Sequence, residues 1–183
     1  FGDDAWVYDN TGGEYQSHYD YYKGESPWSE TEIQAIRDFA FREKFLLSIA
    51  YHSSRSGNVS EKVIYPWIWE DEKTSPDFPI INTLGTDIAN FVLREDGGGG
   101  YLPVSGSSRK GNAHDWFYTQ TGCIQFLIEA GTQNMQPDSL EIIEYTIDQN
   151  IKGAFHLMNK STAYQTGNLS ANAYQVTGLV TNT

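Results

Sequence analysis

Phe45 to Trp67 reads FLLSIAYHSSRSGNVSEKVIYPW. Phe45 to Tyr51 alternates little between apolar and polar residues, as expected of a strand covered on both faces. The run delivers His52 at its end, beside small polar residues, and a second short strand, Lys62 to Trp67, follows and is closed by Pro66. In open α/β sheets ligands gather outside the carboxyl ends of strands. A histidine that ends an apolar run therefore stands where a substrate or metal would meet it, whereas a core histidine sits mid-run.

Working outward, Ser29 and Glu32 have the spacing of a capping box, and Ile33, Ile36, Phe39 and Ala40 share one face of a helix running to Lys44. Downstream of an acidic loop, Ile81, Leu84, Ile88, Phe91 and Val92 recur at helical spacing up to Arg94, and Gly97 to Gly100 breaks the pattern. Tyr101 to His114 reads as a long Gly/Ser-rich loop, a length that favours a functional or mobile segment. Cys123 to Ile128 is a third strand, with Glu129 at its end. Asp138 caps a long helix in which Leu140, Ile143, Ile147, Ile151, Ala154 and Met158 share a face. Strands alternating with helices predict an α/β fold with a mixed, largely parallel sheet flanked by helices. The tyrosine-rich start reads as a surface loop. Residues 161–173 read as a linker, and 174–183 as the first strand of a following β-sandwich.

The chain has 183 residues and a net charge of −12, which argues against nucleic acid and anionic membrane surfaces as partners. A single cysteine, Cys123, excludes an internal disulfide and a multi-cysteine metal cluster. No apolar run is long enough to span a bilayer, and FGDDAWVYDN has neither the basic end nor the apolar core of a signal peptide.

If their strands run parallel, His52 and Glu129 emerge on one rim of the sheet, and a histidine with a carboxylate there points to metal-assisted hydrolysis. A carboxylate directly after CIQFLI is costly to bury without a partner or a task. For His52 taken alone, a satisfied structural histidine remains the competing reading. Asp115 and Trp116 read as braces of the loop, and Arg55 as a surface arginine. Asn58, Asn159 and Asn168 begin glycosylation sequons that count only in a secretory setting.

Tyr51-His52-Ser53, Tyr65-Pro66-Trp67, Asp115-Trp116-Phe117-Tyr118 and Phe126-Leu127-Ile128-Glu129, in this order and spacing, resemble the zinc metallocarboxypeptidases of the carboxypeptidase A and B type. YKGESPWSETEIQAIRDF, upstream, is similar to the family's loop and helix before its histidine strand. The resemblance covers Trp6 to Lys160. It implies that residues 1–160 are the C-terminal half of an α/β/α catalytic domain, with His52 as a Zn2+ ligand and Glu129 as general base. It further implies that Tyr101 is a mobile tyrosine closing over the substrate, that Ser53 lies against substrate, and that His114 stands where the substrate side chain is selected. The implied substrate is a peptide or protein C-terminus, and the implied location is secreted or periplasmic.

The family's other two zinc ligands lie in a His-x-x-Glu motif, which this sequence lacks: His18, His114 and His156 have no glutamate three residues on. One histidine cannot hold catalytic zinc tightly, so the 183 residues are expected to be inactive alone. Two further functions compete with peptide hydrolysis. One is a bacterial cell-wall amidopeptidase on the same scaffold; the other is a non-catalytic binding module, which would have no need of Glu129.

Overall fold

The computed structural model describes residues 24–53, 60–69, 73–105, 112–132 and 139–165. Among these residues four helices, α1 (Thr31–Glu43), α2 (Phe78–Phe91), α3 (Ala113–Thr121) and α4 (Leu140–Gln165), alternate with six strands. The strands are β1 (Leu47–Ser53), β2 (Lys62–Tyr65), β3 (Ile68–Trp69), β4 (Lys73–Thr74), β5 (Leu102–Ser105) and β6 (Ile124–Ala130). The main sheet has the order β1-β6-β2-β5, and β3 and β4 form a small antiparallel ribbon. β1 runs parallel to β6 and β2 parallel to β5, while β2 and β6 are antiparallel. The sheet is thus mixed and largely parallel, as the alternation of strands and helices predicts.

Alternation along the strands sends side chains to two faces. Val63, Tyr65, Ile124, Phe126 and Ile128 project onto one, where Ile81, Leu84 and Ile88 of α2 and Leu157 of α4 complete the core. Ser48 and Gln125, paired in register, point the other way, and their hydrogen bond of 3.2 Å lies beside Cys123. Cys123 packs with Ala40 of α1 and Phe117 of α3. Helices therefore cover both faces, giving an α/β/α arrangement. Trp116 joins the second layer together through edge-on contacts with Trp28, Phe41 and Phe117.

Several local expectations change. Ser29 and Glu32 do not form a capping box: Glu30 holds the N-cap position without a side-chain cap, and Ser29 donates instead to the Glu30 carboxylate. On the face predicted for α1 only Ala40 is buried, and Ile36 and Phe39 are exposed. β1 is an edge strand among the described residues, with Tyr51 and His52 exposed, so its apolar character does not reflect cover on both faces. The stretch predicted as one long loop after Gly100 contains β5 and the start of α3. Gly97 and Gly99 adopt positive φ, and the Gly100 backbone passes so close to α2 that a Cβ would meet the Ala89 carbonyl at 2.4 Å. The run of glycines is a tight turn that returns the chain against α2 rather than the beginning of a mobile loop.

Helix α4 continues past Lys160 to Gln165, into the stretch predicted as linker. The Asp138 cap, the tyrosine-rich start, Arg55, Asn58, Asn168 and the strand expected in 174–183 lie outside the described residues.

Gly85 is the point of closest approach between α2 and the sheet, since a Cβ there would lie 2.4 Å from the ring of the buried Tyr65. Gly85→Ala should therefore lower stability by about 1–3 kcal/mol through overpacking, despite the roughly 1 kcal/mol helix-propensity gain of alanine over glycine. Urea denaturation measures it, and an unchanged midpoint would refute the tight packing.

Candidate active site

Parallel pairing sets β1 and β6 side by side so that His52 is the register partner of Glu129. Lys62, the first residue of β2, stands opposite Glu129 on its other side, and Leu102 of β5 follows in the same row. The carboxyl ends of β1 and β6 thereby share a rim with the start of β2 and β5. Register partners project to the same face, and His52 Nδ1 lies 3.0 Å from Glu129 Oε2. A carboxylate can only accept, so the imidazole donates its Nδ1–H. The two side chains differ in exposure, 61% for His52 and 6% for Glu129. Burying a carboxylate without a partner costs several kcal/mol, and His52 reaches in from the sheet edge to supply one.

Ser53 follows His52 at the end of β1, in register with Ala130, and its side chain alternates to the opposite face. Tyr101 occupies a different setting from the one expected. It stands immediately before β5 and is 3% exposed within the core, with its backbone N–H donated to Ala89 and Val92 carbonyls. Its hydroxyl accepts the buried N–H of Gly131 at 3.1 Å. Moving a side chain held in this way would strip Gly131 of its acceptor and open the core.

His114, at the start of α3, is 1% exposed. Burial depresses its pKa to about 4, and burial raises the adjacent Asp115 carboxyl to about 6, against a smaller opposing hydrogen bond from Asn112. His114 Nε2 and Asp115 Oδ1 lie 3.6 Å apart, beyond a good hydrogen bond, and neither of these two atoms has a hydrogen-bond partner among the described residues. Helix α3 packs along β6 and leads directly into it, so its N-terminal end lies toward the rim that carries Glu129.

Two features of the rim escape a residue-by-residue reading. Lys62 reads as an ordinary strand start, and only the antiparallel register puts it beside Glu129. Gly131, with φ +75°, and Thr132 carry the chain out of β6 under the hold of Tyr101 and Glu95. The sole sequence signal there is a glycine just beyond an apolar strand.

As a metal site, the rim offers one imidazole and one carboxylate that are already hydrogen-bonded to each other. No group of three or more histidine, cysteine, aspartate or glutamate side chains among the described residues could hold a metal ion. Stable zinc sites use three protein ligands plus water, or four ligands. The described donors therefore do not fit zinc by themselves.

The opposite shifts of His114 and Asp115 give a pH signature. A histidine with a depressed folded pKa costs stability as pH falls from 6.5 toward 4, and an aspartate with a raised one costs stability as pH rises from 3.8 toward 6. In the wild type the two slopes offset each other between pH 4 and 6. Asp115→Asn should unmask the histidine, so that its stability minus that of the wild type rises with pH across this window by up to about 1.4 kcal/mol per unit. Denaturant titrations across that window check this; parallel profiles would refute the buried pair.

A sequence profile of the zinc carboxypeptidase family, peptidase M14, matches residues 1–153. No curated protein matches the chain. Among solved structures, carboxypeptidase A from Helicoverpa armigera superposes with a TM-score of 0.58 at 16% identity, over 74% of this chain and 35% of that one. Thrombin-activatable fibrinolysis inhibitor gives 0.57 at 23% identity, over 76% and 36%. The bovine form of that protein, in complex with tick carboxypeptidase inhibitor, gives 0.57 at 20% identity, over 73% and 46%. The chain thus spans less than half the length of each of these structures, and the likeness is one of fold.

Proposed function

The chain belongs to the zinc carboxypeptidase family, and from that premise we propose that residues 1–160 form the C-terminal half of a catalytic domain that releases C-terminal residues from peptides or proteins. The observation that carries this reading is the in-register pair of His52 and Glu129 on one rim. Glu129 is the general base: buried and aimed along the rim, it takes a proton from the attacking water and passes it to the leaving amine. His52 is one metal ligand, and the rest of the donor set comes from a His-x-x-Glu segment that this sequence does not contain. A zinc ion held by His52 together with that segment would supply Lewis-acid polarisation of the scissile carbonyl. His114, near the same rim, takes part in selecting the substrate side chain, and Ser53 flanks the substrate.

The remainder of the domain has a surface to pack against. Among the described residues the outer edge of β1 has no neighbouring strand, and such an edge is a template for further pairing. Beside it α4 exposes Ile147, Ile151, Phe155 and Met158, and Tyr51 of β1 donates to the Asn150 carbonyl of α4, so the two surfaces are continuous. The described residues contain no helix long and apolar enough to cross a membrane. A secreted or periplasmic enzyme is the setting in which the family resemblance makes most sense.

Hydrolysis of peptides with free and blocked C-termini by the full-length protein tests the reading. Glu129→Gln should lower kcat by about a hundredfold or more, and only free C-termini should be cleaved. Unchanged hydrolysis in the variant would overturn the assignment of the base. The metal provides a second measurement: the 183-residue chain should lose zinc on dialysis, whereas the full-length protein keeps one equivalent. Equimolar zinc retained by the short chain would refute the split ligand set.

A further inference from the structure

The exit from β6 is held more firmly than a surface turn requires. Gly131 N–H donates to the Tyr101 hydroxyl, and Thr132 Oγ1 donates to Glu95 Oε2 at 2.5 Å. The other oxygen of Glu95 accepts from Thr146 Oγ1 of α4 at 2.9 Å, and the Glu95 backbone N–H donates to Glu61 Oε1 at 2.8 Å. Two side chains from the α2–β5 connection thus grip the two residues that follow Ala130, the end of the strand carrying Glu129. Both grips close on partly or fully buried atoms, and each has backing. Tyr101 is wedged in the core, and Glu95 is tied to α4 and to the residue that precedes β2.

The Glu129 side chain projects onto the face opposite the core that holds Tyr101, so the grip reaches the carboxylate only through the backbone. A strand end that slid or twisted would move Glu129 relative to His52, its register partner on the less constrained edge strand. The geometry points to Tyr101 and Glu95 as positioning residues: they clamp Gly131 and Thr132 and so fix where the Glu129 carboxylate stands beside His52. This rests on the proposed role of Glu129 as general base and departs from the closing role that the family resemblance implies for Tyr101.

The test compares Tyr101→Phe and Glu95→Gln in the full-length protein with Leu157→Ala, a core change in α4 that makes none of these contacts. Both clamp variants should lower kcat by about ten- to a hundredfold, as a misplacement of about 1 Å does, with KM within about twofold and bound zinc unchanged. Amide exchange at Gly131 and Thr132 should quicken, and the His52 ring nitrogen shifts should move as the hold of Glu129 on Nδ1–H changes. Leu157→Ala should lower the melting temperature while kcat and the ring shifts stay put. The clamp is overturned if both variants keep wild-type kcat and ring shifts despite faster exchange. A raised KM in Tyr101→Phe with unchanged exchange at Gly131 would also overturn it, in favour of a closing tyrosine. If the wild type cleaves no peptide, the peptidase reading fails on its own, and the ring shifts and exchange rates still decide the clamp.

Discussion

Parallel pairing of β1 with β6 is the constraint on which the site depends. Because side chains alternate with a period of two, a slip of one residue would turn His52 away from Glu129 and send one of them into the apolar core. The register is held along its length: Leu47 and Ile49 must face α2 and α4 with Ile124, Phe126 and Ile128, while Ser48 must face Gln125 and Cys123. Hydrophobic burial on one face thereby sets the chemistry on the other. The hydrogen bond between His52 and Glu129 is a product of this registration rather than its cause, since one side of that pair is largely in water and a hydrogen bond of this kind contributes only on the order of 1–3 kcal/mol.

Much of the architecture was legible in the sequence because it is written in periodicity. The apolar runs ending at His52 and Glu129 gave their strands to within two residues, and the i, i+3, i+4 rows gave α2 and α4. The expectation that the two residues share a rim required only that their strands run parallel, which they do. What periodicity could not carry was context. β5 is four residues long with a proline inside it, and α3 shows little apolar periodicity because its buried face is made of His114 and Phe117. Both therefore looked like loop. The same blindness put Tyr101 in a mobile segment: nothing in its neighbours announces that the preceding glycines fold back against Ala89 and drive the ring inward.

The edge of the sheet explains why one apolar strand was read as doubly covered. In a central parallel strand an unbroken apolar run reflects burial on both faces, and β6 behaves so, with Glu129 and Gln125 as its buried polar exceptions. β1 has a similar composition but only one neighbour among the described residues, and the outer face of α4 beside it is equally apolar and exposed. Composition suited to burial, without the burial, is the signature of a surface meant to be covered. Large contiguous exposed apolar patches mark interaction sites, and here the patch runs up to the residue proposed as a metal ligand.

The two buried polar residues of β6 show how differently a strand can accommodate polarity. Gln125, a neutral group, donates from Nε2 to the hydroxyl of its register partner Ser48, while its buried Oε1 has no hydrogen-bond partner among the described residues. Glu129 carries a charge, so its burial demands a cationic or donating partner and a fixed position. His52 on one side and Lys62 on the other flank it in the register row, while Tyr101 and Glu95 hold the backbone just beyond it. Two residues four positions apart on one face thus differ in their support: the Glu129 carboxylate meets the His52 imidazole and the backbone just beyond it is held at two points, as the general-base role proposed for it requires.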